Sequence, residues 1–384
     1  MPRRVLARGR AACACALVAA GLAGCTQGRA GSSAVTASGK TLTIYLSAGQ
    51  TSQPTVAADV RDAERLAWRD SPHRAGSFPL RLLTLNASLS DQARTAIQDS
   101  SAIAYLGEVV PHSSYASFGI TNAVDLLQVS PTDTALELTQ ATPAVPGAPD
   151  SYYQSLSTYG RTFARVVPTS GGEARAQIEE MGALRVSKLY VSHDGGPYGA
   201  AMANAIRHDA SGKISLVSSP SGADAAFYGT NSPARASSFF ESAAGANPSL
   251  KLFAPSALYD PSLASRLAPA VRNLYISAPG FRPQDLDPAG SKFVSDFRAA
   301  YGRTPLPQAA FGYEAMAAVL AVLRGAGAQA NNRSTVVHDF LSINNRQSVV
   351  GTYSMDSNGD TNLAPFVFAR VQRGKLVPFA QVQG

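Results

Sequence analysis

The stretch Ala104–Thr139, AYLGEVVPHSSYASFGITNAVDLLQVSPTDTALELT, decides the fold. Its opening belongs to an apolar run, Ala102 to Leu106, that stops at Gly107. Such a run reads as a strand buried on both faces. Ser113 to Ala123 then predicts a helix with serines at its start, and Leu126 to Val129 a second strand halted by Ser130-Pro131. Strand, helix and strand in this order make a parallel pair with a helical crossover.

The same grammar extends in both directions. Upstream, Thr41 to Ser47 and Leu80 to Leu85 predict strands, with helices over Val56 to Trp68 and Ser90 to Ser100. Asp133 to Tyr159 is polar and Pro-rich, and its pattern is ambiguous after the first turns. Beyond it the alternation restarts, with helices over Gly172 to Met181 and Tyr198 to His208. Strands are predicted over Val186 to Val191, Ile214 to Val217, Ala225 to Gly229, Leu250 to Ala254 and Asn273 to Ala278. Two runs of one pattern imply an α/β protein of two similar lobes with parallel sheets. Ala309 to Gly327 is apolar on nearly every face, which predicts a buried helix, since Glu314, Arg324 and three glycines weaken a membrane-span reading. The chain ends in β structure at Val349 to Met355, Ala364 to Val371 and Lys375 to Val382.

The first residues follow another logic. Basic Met1 to Arg10 precedes an apolar run, Ala11 to Gly24, and then Cys25. As a helix that run rises only about 21 Å, short of a bilayer core of roughly 30 Å, so it reads as a secretory leader. All three cysteines, Cys13, Cys15 and Cys25, lie in or at the end of it, so the body has no disulfide, thiol nucleophile or cysteine metal site. Residues 25–40 are rich in Gly, Ser, Ala and Thr and predict a flexible tether. Removing residues 1–24 would leave 29 basic against 26 acidic residues, so the formal charge of +7 does not indicate a nucleic-acid partner.

Enzyme signatures are missing from the sequence. There is no Gly-x-Ser-x-Gly elbow, no phosphate loop and no helical histidine pair. His73, His112, His193, His208 and His338 are scattered. Asp356-Ser357-Asn358-Gly359-Asp360 has its glycine in the wrong place for a calcium loop and reads as a turn. Neither catalysis, nor a metal, nor a cofactor is expected.

Leu22-Ala23-Gly24-Cys25 resembles the bacterial lipoprotein cleavage box, which implies acylation of Cys25 and anchoring to the outer face of the cytoplasmic membrane. From about Thr41 onward the chain resembles the solute-binding lipoproteins of branched-chain amino acid ABC transporters. Four stretches carry this: Ala104 to Thr139, Phe163 to Pro168, Ala309 to Leu323 with its Gly-Tyr-acid-Ala, and Tyr353 to Lys375. The resemblance implies a type I periplasmic-binding fold, two Rossmann-like lobes joined by a three-segment hinge with crossings near Ala164, Ala278 and Gln347. One lobe would be 41–163 and 279–345, the other 164–278 and 348–384. It further implies a small-molecule solute held in the crevice and an ABC permease as partner.

Ligands of parallel sheets lie at the carboxyl ends of strands. On the first lobe these are Ser113 and Ser114, whose helix start suits a carboxylate or simply a cap, and Thr132 and Thr134, where the family holds the amino-acid head. On the second they are Tyr198, Thr230, Asn231 and Ser256. Where the family often has an acid for the ligand ammonium, this chain has Ala254-Pro255-Ser256; Asp133 or Asp194 could substitute, but neither is at the matching position. An ordinary α-amino acid therefore fits poorly, and a carboxylate, amide or other small polar molecule fits as well. The alternative is a lipid-anchored ligand-sensing or protein-interaction module of the same fold.

Overall fold

The computed structural model describes residues 35–384 apart from residue 270. The expected leader, Cys25 and most of the expected tether lie outside the described residues. From Val35 the chain is already docked: the Ala37 N–H donates to the Asn331 carbonyl, the Arg333 N–H to the Val35 carbonyl, and Ala37 is buried. The expected tether thus loses its last residues to the first lobe, because a small apolar side chain finds a core site there.

Six strands form the first sheet: β1 (Leu42–Ser47), β2 (Arg74–Ala75), β3 (Phe78–Leu85), β4 (Ala102–Leu106), β5 (Leu127–Ser130) and β6 (Phe163–Arg165), in the order β2-β3-β1-β4-β5-β6. All pair in parallel except β2 with β3. β7 (Lys188–His193), β8 (Ser215–Val217), β9 (Ala225–Gly229), β10 (Lys251–Ala254) and β11 (Leu274–Pro279) form the parallel part of the second sheet. Two further strands, β12 (Arg346–Ser348) and β13 (Gly351–Tyr353), make a separate hairpin. The chain then adds β14 (Pro365–Gln372) antiparallel to β11 and β15 (Lys375–Gln383) antiparallel to β14, giving the order β15-β14-β11-β10-β9-β7-β8. The sheets are therefore parallel-dominated and mixed.

The residues of β1 are all buried, Thr43 and Ser47 included, because the strand lies inside the sheet between β3 and β4 with both faces covered. Helix Ala309–Ala326 is the one helix among the described residues long and apolar enough to cross a membrane, and it lies in the first core with Phe311, Met316, Leu320 and Leu323 fully buried. Two helices that periodicity missed, Pro233–Ala246 and Pro288–Tyr301, are announced by their starts. Ser232 and Asp287 accept the capping N–H, and a proline follows each at the first helical position. Ser113 to Ala123 is not one helix but a 3-10 turn, Ser113–Ala116, followed by Phe118–Asn122. The cause is Asp133, whose carboxylate takes the N–H groups of His112 and Ser114 and fixes the turn.

Two crossings run from β6 into helix Ser170–Ala183 and from β11 through Gly280. The last expected crossing, near Gln347, falls later. Val350 and Tyr353 are buried with the first lobe's core, so the chain reaches the second sheet only at Pro365. On the way, the Asp356–Asp360 turn packs against β6. Gly359 has φ +88, and a Cβ there would stand 2.4 Å from the Phe163 carbonyl, which glycine alone tolerates.

Candidate functional site

The strand order of the first sheet reverses between β1 and β4, and that of the second between β7 and β9. At such points the loops after neighbouring strands diverge and leave a crevice. The two sets of loops face each other. Gln53, just before helix Pro54–Arg69, donates from Nε2 to the Ser256 carbonyl at 2.8 Å and the Tyr259 carbonyl at 3.2 Å. The N–H groups of Thr55 and Val56 donate to Asp260 at 2.9 and 3.1 Å, so the start of this helix is closed by a carboxylate from the other lobe. Asn231 Nδ2 donates to the Pro111 carbonyl at 3.2 Å. The lobes are closed on each other.

Three of the expected residues meet between them. Thr134 Oγ1 lies 3.4 Å from Ser256 Oγ, and both side chains are buried. The buried Tyr198 hydroxyl stands beside them with no well-made hydrogen bond among the described residues. Burial and then the Glu173 charge push the Tyr198 pKa well above its ordinary value, so the phenol stays neutral. Phe118, Leu138, Phe163 and Ala257 complete an apolar wall around this point.

The other expected residues are engaged elsewhere. Ser114 Oγ accepts from the Glu108 N–H at 3.1 Å, and Ser113 Oγ donates to the Val110 carbonyl. Thr132 Oγ1 donates to the Val109 carbonyl at 2.7 Å. Thr230 Oγ1 donates to Asp194 at 2.6 Å and accepts from the Ser232 N–H at 2.9 Å. These hydroxyls hold loops in place.

Four buried carboxylates that sequence reasoning did not place in these roles shape the crevice. Asp133 receives the N–H groups of His112 at 2.6 Å, Ser114 at 2.8 Å and Ala135 at 3.2 Å. It occupies the donors that a ligand carboxylate would use. Glu173 accepts from Ser256 Oγ at 2.7 Å and from the Ser256 N–H, so an acid does reach this point, but from helix Ser170–Ala183. Glu137 Oε1 lies 2.8 Å from His112 Nδ1. Burial disfavours the charged imidazole, but Glu137 and then Asp133 outweigh it, so the His112 pKa is raised.

The fourth carboxylate, Glu108, faces the switch point of the first sheet. It accepts from the Tyr105 hydroxyl at 2.8 Å and from Ser47 Oγ, beside a cavity of about 30 Å³ lined by Gly49, Arg61 and Ser113. Burial pushes its pKa up from 4.5 to about 7, with Asp133 adding to the shift and the hydroxyls of Ser47, Tyr105 and Ser117 opposing it. A carboxyl whose folded pKa is raised stabilises the fold below its unfolded pKa and loses that contribution as pH rises through the folded value. Between pH 4.5 and 7 the loss is about 3 kcal/mol. Urea titrations of wild type and Glu108→Gln across this window are expected to converge toward acid pH and to diverge toward pH 7, the variant being the more stable there. Parallel curves would show that Glu108 titrates alike in the folded and unfolded chains.

Residues 143–375 match a family model described as periplasmic binding protein. The chain belongs to that family. Among curated proteins none matches it by sequence. Solved structures of periplasmic binding proteins share its fold. A leucine-binding protein, LivK of Thermotoga maritima, superimposes with a TM-score of 0.72 at 20% identity, covering 89% of this chain and 99% of that one. The branched-chain amino acid transporter substrate-binding protein LivJ of Streptococcus pneumoniae, in complex with isoleucine, gives 0.69 at 15% identity, covering 90% and 99%. A solute-binding protein of an ABC transporter from R. palustris, in complex with benzoate, gives 0.68 at 15% identity, covering 89% and 96%. The type I periplasmic-binding fold expected from the sequence is thereby established.

Proposed function

We propose that this periplasmic binding protein is exported, anchored through an acylated Cys25, and captures a small polar solute between its lobes for an ABC permease. The convergence of Thr134 from the first lobe with Tyr198 and Ser256 from the second, all buried, carries this reading. Closure on a ligand is favoured by contacts made to both lobes at once. The S. pneumoniae and R. palustris proteins are in complex with isoleucine and benzoate, both of which carry a carboxylate. Here Asp133 already occupies the donors of His112 and Ser114, so the solute is met by hydroxyls. An amide or another neutral polar molecule suits Thr134, Tyr198 and Ser256 better than an α-amino acid.

A thermal-shift screen of amides, sugars, amino acids and small carboxylates tests this. A solute at about 100 times its Kd stabilises by about 2.7 kcal/mol, an effect large enough to see in melting. Thr134→Val is expected to weaken the solute so found by roughly tenfold, the loss of one well-made hydrogen bond. Unchanged calorimetric affinity would remove Thr134 from the site.

One observation favours a second reading, a sensing or protein-binding module. The crevice's polar groups largely satisfy one another, with Asp133 on the first lobe's N–H groups and Glu173 on Ser256, so closure does not depend on a ligand's hydrogen bonds. Solution scattering that shows the lobes closed without solute, together with an empty screen, would select it.

A further inference from the structure

A cavity of about 360 Å³ lies apart from the crevice, and none of Thr134, Tyr198 or Ser256 lines it. Phe281, Leu286 and Phe293 wall it from the first lobe's side. Tyr259, Val367 and Leu376 wall it from the second. It sits beside the β11 crossing, where Gly280 approaches Pro307. Its size falls at the lower end of small-molecule sites, and its walls are mostly apolar, as those of such sites are. That admits a single ring or a short chain and is too small for a folded partner's helix.

Two cations stand at its edge. Arg282 is neutralised, with Nη2 3.1 Å from Asp285 Oδ1 and Nη1 donating to the Phe379 carbonyl at 3.2 Å. Lys375, which follows Gly374 in the turn between β14 and β15, makes no ion pair among the described residues and is exposed. An apolar chamber with one uncompensated ammonium at its mouth matches a ligand with an apolar body and an anionic head.

We propose that this cavity is a second ligand site, for a small apolar monocarboxylate whose head meets Lys375. Because its walls belong to both lobes, an occupant there favours their closed arrangement over a parted one, in which half of its contacts would be lost. The site thus couples an apolar acid to the state of the crevice. This holds whatever solute the crevice takes.

Calorimetry on the mature protein, with phenylacetate and octanoate as probes and octylamine as the charge-reversed control, tests the proposal. Both acids are expected to bind, and the amine at least tenfold more weakly. Leu376→Trp, which fills the chamber, is expected to abolish binding of both acids. Lys375→Glu, at an exposed position where the fold does not depend on it, is expected to weaken them about fivefold, the scale of an exposed ion pair. Thr134→Val is expected to leave their affinity unchanged, which separates this site from the crevice. Absence of binding at millimolar acid, equal affinity for the amine, insensitivity to both cavity variants, or loss of binding in Thr134→Val would each overturn it.

Discussion

Replacing Arg165 by alanine is expected to destabilise the protein by about 3–5 kcal/mol, a large part of the stability an ordinary domain possesses. Arg165 ends β6 at the first crossing and is fully buried. Its Nε donates to Asp360 Oδ1 at 2.8 Å, and its Nη1 to the carbonyls of Asp133 and Ala135, each at 2.8 Å. Nη2 reaches Thr139 Oγ1 at 2.5 Å. One side chain therefore ties β6 to the loop that carries Thr134 and to the Asp356–Asp360 turn at the last crossing. With alanine the Asp360 carboxylate keeps only neutral donors, Thr139 at 2.9 Å and Gln140 at 2.7 Å, and the Asp133 and Ala135 carbonyls lose the guanidinium, Ala135 keeping the Leu138 N–H at 3.3 Å. An uncompensated buried charge is the costly outcome, more so than the loss of the pair itself. Arg165→Lys keeps a charge but not the planar fork, so it is expected to recover only part of the loss. Urea unfolding of the three proteins measures this. A difference below about 1 kcal/mol for the alanine variant would show that water replaces the guanidinium without cost.

Asp133→Ala is expected to have the next largest effect, about 3 kcal/mol, and a distinctive cure. The buried N–H groups of His112, Ser114 and Ala135 would lose their acceptor together, and each unsatisfied donor costs about 1–3 kcal/mol before relaxation. The space vacated has the size and donors of a carboxylate site, so formate is expected to bind there and restore stability by linkage. Formate is expected to do nothing for the wild-type protein, whose own carboxylate is in place. Asp133→Asn keeps one acceptor oxygen but turns an NH₂ toward an N–H, so it is expected to remain destabilised. Equal response of wild type and Asp133→Ala to formate in thermal melts would refute the assignment of Asp133 as an internal stand-in for a ligand carboxylate.

These two residues show how unevenly the site could be read from sequence. The strands and most helices were legible, since an apolar run closed by Gly107 or by Ser130-Pro131 is a local signal. Helix Pro233–Ala246 was missed, because its apolar periodicity is weak and only Ser232-Pro233 marks its start. Thr134, Tyr198 and Ser256 are expected from the sequence in the segments that follow their strands, and the structure brings their side chains together. Thr132 and Thr230 looked equivalent to them, but their hydroxyls are bound to Val109 and Asp194. Nothing in a sequence distinguishes a free hydroxyl from one committed to its own loop. Glu173 had no signal as a crevice residue, being one acid in the first turn of a helix, where acids are common anyway.

By itself the sequence determined the two-lobed α/β architecture, the near-neutral charge of the chain after residue 24, and the loops from which a crevice is built. These follow from patterns a few residues long, because burial on a sheet or helix repeats with the period of the backbone. Only the tertiary structure decided what the crevice contains. Asp133 fills the first lobe's N–H donors, Glu173 replaces the expected acid from another element, and the last crossing waits until Pro365. Each depends on which groups, distant along the chain, come within hydrogen-bond distance once both sheets are packed. Charge and hydrogen bonding act through space at about 3 Å, and no local pattern encodes that distance.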